Sequence, residues 1–136
     1  MRMINRRVFR YIEFELYNYD KTKLELEQEE DDIREGTFTP DNSPVQSKPG
    51  DTTATKAVRL TTNTAIVRMT KTLQAINRAL SLLDESHNQV FELKYRQNNH
   101  WRVVADRMFV SQDTYFKRRR ELIEMVALQM GLKLEA

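Results

Sequence analysis

Apolar residues recur at three- and four-residue steps through most of the chain, which is the period of an amphipathic helix and not of a strand. Ile4, Val8, Tyr11, Ile12, Leu16 and Tyr19 set the first such run, which continues through the acid-rich stretch from Glu25 to Glu35 and stops at Gly36. One long helix is expected there, with a kink near Asn18 to Asp20. Between Thr55 and Leu83, the residues Ile66, Met69, Leu73, Ile76, Leu80 and Leu83 follow steps of 3, 4, 3, 4, 3. That spacing is the seam of a helix packed at a shallow angle on another helix. Arg68, Lys71 and Arg78 fall on or beside the opposite face, where solvation is the expected state.

The pattern shortens after Leu83. Asp84 or Ser86 can cap a helix whose Val90, Phe91, Lys94 and Tyr95 form one face, and Arg96 to Asn99 then reads as a turn. A short helix follows from about Trp101 to Arg107, with Trp101, Val104, Ala105 and Met108 inward; Asn99 is a better capping residue for it than His100. Met108-Phe109-Val110 makes a tight connection. A bulky Phe109 costs on the order of 1 kcal/mol or more if its φ is positive, so a more open turn is expected. Ser111 caps the last helix, which runs from Gln112 to about Met130 and buries Tyr115, Arg118 or Arg119, Leu122, Val126 and Gln129 or Met130 before Gly131 stops it. The fold class expected is all-α.

All three prolines and two of the three glycines lie between Gly36 and Gly50, where no periodicity survives. The chain therefore divides into an N-terminal helical arm (1–35), a linker (36–54) and a helical domain (55–136). At 136 residues it has room for one core and an appendage. No cysteine is present, and His87 and His100 are the only histidines, so neither a disulfide framework nor a metal site is expected. No glycine-rich phosphate loop or nucleophile elbow occurs, and the run of acids from Glu25 to Asp32 has no pocket to shift its pKa values, so neither an enzyme nor a cofactor is expected. No apolar run is long enough to span a bilayer, which makes a cytoplasmic protein the expectation.

Charge distribution sharpens the picture where net charge, +2, does not. Residues 1–35 carry seven basic and ten acidic groups, whereas residues 94–120 carry eight basic groups against Asp106 and Asp113. A last helix that buries Tyr115 and Leu122 presents Gln112, Asp113, Phe116, Lys117 and Arg120 on its other side, near its N-terminal end. In a helix-turn-helix the second helix lies in the major groove in this way, with early residues at base edges and later basic residues near phosphates. Gln reads adenine edges, Asp accepts from cytosine N4, Phe touches a thymine methyl, and Lys or Arg reaches phosphate or guanine. Ser111, Gln112, Asp113, Thr114, Phe116, Lys117, Arg119 and Arg120 are the candidate DNA-binding residues, with Arg118 helping to hold the helix.

These residues resemble the helix-turn-helix of sigma-factor region 4. Gln89 to Tyr95 looks like that family's helix ending in Arg-Tyr, Val104-Ala105-Asp106-Arg107-Met108 like its Ile-Ala-Glu-Arg-Leu, and Val110-Ser111 like its Val-Ser. Glu15-Leu16-Tyr17-Asn18-Tyr19, the linker ending Pro49-Gly50-Asp51, the heptad helix and Leu128-Gln129-Met130-Gly131-Leu132 together resemble phage transcriptional activators of the RinA/ArpU type, over nearly the whole chain. That resemblance implies a regulator from a phage or prophage of a Gram-positive bacterium that switches on late packaging and structural genes. Double-stranded DNA is then the partner, with host RNA polymerase and a second copy of the chain as further candidates through the arm. A small terminase subunit, or an adaptor that binds polymerase or sigma without touching DNA, would share the same features.

Overall fold

A computed structural model describes residues 4–35 and 63–132. The expected linker, 36–54, and the expected opening of the heptad helix, 55–62, lie outside the described residues. Every regular element among those residues is helical: α1 (Arg6–Tyr17), α2 (Tyr19–Glu35), α3 (Thr64–Leu82), α4 (Glu85–Val90), a wider π-helical turn (Phe91–Arg96), α5 (Trp101–Met108) and α6 (Gln112–Gln129). The protein is all-α, as the periodicity requires.

The expected kink near Asn18 is a full break. α1 opens where the Asn5 side chain accepts a hydrogen bond from the Arg7 N–H at 2.7 Å, and it closes where the Asn18 amide donates back to the Phe14 carbonyl at 2.7 Å. Asn competes with the backbone for its own hydrogen bonds, which suits it to both ends of a helix and to no interior.

The chain forms two compact units, the described parts of residues 1–20 with 72–136 and of residues 21–71, so that the boundary falls within α2 and within α3. In the second unit Ile33, Ile66 and Met69 are buried. In the first, Ile12 and Leu16 of α1 are fully buried in one cluster with Ile76 and Ala79 of α3, Val90, Phe91, Tyr95, Val104, Ala105 and Met108, and Tyr115, Leu122, Ile123, Val126 and Ala127 of α6. α1 therefore belongs to the domain core. Residues 1–35 read as one arm from the sequence; in the structure the described part up to Asp20 packs with the described part of residues 72–136. Polar ties reinforce the packing: Tyr95 Oη donates to Glu13 at 2.7 Å, Tyr19 Oη bonds Asn77 at 2.8 Å, and Arg96 meets Asp20 at 3.0 Å. Burial, and next the Glu13 carboxylate, push the Tyr95 phenol far above its ordinary pKa.

α4 is joined to α6 through His87. Asp84 caps α4 by accepting from the Ser86 and His87 N–H groups. The buried His87 ring then places Nδ1 2.8 Å from Asp84 Oδ1 and Nε2 2.8 Å from Glu121 Oε1, and Arg118 donates to the same Glu121 oxygen at 3.0 Å.

The two carboxyls titrate low. A hydrogen bond from the Ser86 hydroxyl, helped by bonds from His87, brings Asp84 down to about 2. Partial burial pushes Glu121 up, but the hydrogen bonds from His87 and Arg118 together outweigh it and hold it below its ordinary value. A depressed folded-state pKa contributes stability that is complete above the unfolded value, near 4, and is lost as pH falls toward the folded one. The melting temperature is therefore expected to fall between about pH 5 and pH 2, and an Asp84→Asn, Glu121→Gln double variant to lose much of that acid limb. An identical acid limb in the variant would show that these carboxyls do not couple to folding.

Candidate nucleic-acid interface

Local chemistry explains how α5 and α6 are set. His100 caps α5, its Nδ1 accepting from the Arg102 N–H at 3.1 Å. Asn99, the better residue by type, is spent elsewhere: its side chain donates to the Leu93 carbonyl at 2.9 Å and so closes the π-helical turn before it. α5 ends in a paired closure, with the Phe109 N–H donating to the Asp106 carbonyl and the Val110 N–H to the Ala105 carbonyl, both at 3.1 Å. Ser111 then caps α6, its hydroxyl oxygen accepting from the Thr114 N–H at 3.2 Å. Asp113 lies in the first turn, where its charge suits the helix dipole.

The connection is tight, not open. Phe109 has φ 58° and ψ 41°, the left-handed conformation that the expected open turn would have avoided. Two other described residues share a positive φ, Asn98 and Gly131, and both are types that tolerate it. Phe109 is not such a type, and its ring, 94% exposed, gains nothing by burial. Two backbone hydrogen bonds hold it there against steric cost. Phe109→Gly is accordingly expected to raise stability by about 0.5–1 kcal/mol, read as a higher urea midpoint at unchanged slope. A lower midpoint would mean that the ring contributes packing.

The candidate residues separate into two groups. Ser111, Gln112, Asp113 and Lys117 are exposed, and Thr114 and Arg120 are half-exposed. These line the start of α6. Phe116 is half-buried, its ring 5.2 Å from Trp101 and 5.1 Å from Tyr115. It supports the helix more than it displays a contact surface.

Arg119 turns inward. Its guanidinium lies 5.1 Å from the Phe9 ring and 5.0 Å from the Phe116 ring, and 3.8 Å from the Glu13 carboxylate. A cation held between two aromatic faces beside a carboxylate is a structural joint between α1 and α6. Arg118 is likewise engaged by Glu121. Of the basic run 117–120, only Lys117 and Arg120 make no ion pair with a described residue. Four adjacent cations in sequence thus amount to two without an ion pair among the described residues.

Other cations stand outside the sequence reading. Arg102 of α5 is exposed, its guanidinium 5.4 Å from the Trp101 ring centroid. Arg6, Arg7 and Arg10 of α1 are exposed too. Counting residues 1–35 as one acidic segment hides them; the i, i+4 pair Arg6 and Arg10, with no acid before Glu13, was the signal available. Among the described residues no cluster of His, Asp and Glu is arranged to hold a metal ion, and no helix is long and apolar enough to cross a membrane.

No curated protein and no solved structure matches the chain. One family model does, over residues 14–127, from the second half of α1 nearly to the end of α6. The chain belongs to that family, DUF722, whose description is a protein of unknown function.

Proposed function

We propose that this protein is a sequence-specific DNA-binding transcription regulator in which α5, the Phe109 turn and α6 act as a helix-turn-helix, with α6 entering the major groove. One observation carries the reading. The first turns of a capped, core-anchored helix leave Gln112, Asp113 and Lys117 in solvent while Tyr115 and Leu122 on the other side are fully buried. A polar, basic helix start braced from behind has the shape that base-edge contact demands. Gln112 and Asp113 offer amide and carboxylate groups for base reading, and Lys117 and Arg120 offer charge to phosphates. The resemblance to sigma region 4 and to phage activators of the RinA/ArpU type supports activation of late genes from a phage or prophage promoter in the bacterial cytoplasm.

The test is a fluorescence titration of labelled duplexes selected from random sequence, repeated against competitor DNA. A specific site is expected to bind on the order of 10³-fold or more above random duplex. Gln112→Ala is expected to relax preference at one base position by about 1–3 kcal/mol while leaving random-sequence binding intact. Failure of any duplex to bind would sink the proposal, and polymerase binding in its absence would point to an adaptor instead.

A further inference from the structure

Resting on that reading, we infer that Arg6, Arg7 and Arg10 of α1 form a second phosphate-contacting surface for the same duplex, so that the N-terminal helix is part of the DNA-binding domain.

The three arginines are exposed and make no ion pair with any described residue. Arg6 and Arg7 occupy the first turn of α1, which contains no acidic residue. The positive end of the helix dipole lies there, so cations at those positions work against the helix. No ion pair or cation–π contact with a described residue rewards their placement. An anion brought from outside would relieve the repulsion among them and the dipole together.

The acids of this segment do not neutralise them. Glu13 is held by Tyr95 Oη and faces Arg119, and Asp20 is held by Arg96. The remaining acid, Glu15, is half-buried and sits on a different flank of α1 from Arg6, Arg10 and Glu13 by helical spacing. The net acidity of the first 35 residues therefore comes mainly from beyond Asp20, and the exposed start of α1 is basic.

Position joins this surface to α6. Phe9, next to Arg10, stacks on the Arg119 guanidinium, and Glu13 meets the same group at 3.8 Å. Arg6 lies roughly one helical turn, about 5 Å, before Phe9 and Arg10 along α1. The arginines thus flank the crossing of α1 with the helix that bears Lys117 and Arg120. Arg119, a candidate DNA contact by sequence, meets Phe9 and Glu13 and so positions α1, the helix that carries Arg6, Arg7 and Arg10.

The experiment is the salt dependence of duplex binding by the full chain, from about 50 to 300 mM salt, for the wild type, R6A/R7A/R10A and the matching lysine triple. The alanine triple is expected to bind all sequences more weakly and to lower the log–log salt slope by about 2–3 units, with base preference unchanged. The lysine triple, which keeps the charges, should retain the slope. Melting of the alanine triple should be unchanged or higher, because the clash with the dipole is gone. An unchanged slope in the alanine triple, alongside a lower slope in K117A/R120A, would remove the α1 surface and leave the α6 reading standing. Absence of salt-dependent duplex binding by the wild type would remove both.

Discussion

Leu16→Ala is expected to destabilise the unit that contains α6 by about 2–5 kcal/mol, even though Leu16 lies more than ninety residues before that helix begins at Gln112. Its side chain is fully buried in the cluster that includes Tyr95, Tyr115 and Leu122. Deleting it removes the transfer free energy of the lost carbons and leaves a cavity among elements that cannot all close onto it. For a domain of this size such a loss lowers the melting temperature by on the order of 10–30 °C. Phe14→Ala, two residues earlier and 62% exposed, is expected to stay within about 0.5 kcal/mol of the wild type. Urea unfolding followed by tryptophan fluorescence reads both, since Trp101 packs 6.3 Å from Tyr115 in the same core. Equal and small effects would mean that α1 is not structural.

The second large effect is on binding. In K117A/R120A, affinity for duplex DNA in about 0.1 M salt is expected to drop on the order of 50-fold, and the salt slope by about 2 units, because each phosphate contact contributes roughly 0.9 to that slope. The drop should be similar on specific and random sequence, since phosphates carry no sequence information. The neighbouring arginines supply the contrast. Arg119→Ala removes the cation from between Phe9 and Phe116 and leaves Glu13 with Tyr95 alone, so its main consequence should be lower stability and a loosened α1. Arg118→Ala frees Glu121 from one of its two partners and should show most clearly in the acid limb of the melting curve. A slope loss as large in R119A as in K117A/R120A, at unchanged stability, would contradict this division of roles.

Much of this architecture was legible in the residue pattern. The heptad spacing from Ile66 to Ile76 is buried in the structure as it predicts, and the caps at Asp84 and Ser111 are where hydroxyl and carboxylate chemistry puts them. Helix ends follow from interactions spanning three or four residues, so the chain carries them locally. Asn99 shows where that locality fails. Its side chain had two uses within reach, and the wider turn at Phe91–Arg96 claimed it, leaving His100 to cap α5. Phe109 shows the same for the backbone: the pull of two closing hydrogen bonds and of the packed helices on either side overrode a local steric preference worth about 1–2 kcal/mol.

Periodicity and capping chemistry were sufficient to settle that this chain is helical, that a short helix and a longer one meet at a three-residue turn, and that Tyr115, Leu122 and Val126 point inward. They could not say what each charged side chain would meet. A lysine or arginine has the same helical address whether it faces water, a carboxylate or an aromatic pair, and the partners of Arg96, Arg119 and Tyr95 come from a segment some eighty to a hundred residues away. Only the packing of α1 onto α6 decided that Arg119 is a joint and that the first helix belongs with the last, while Lys117 and Arg120 make no ion pair with a described residue. Long-range contact is the reason: burial of Ile12 and Leu16 is a property of the assembled core, and the charges beside them are sorted by where that burial places the helix.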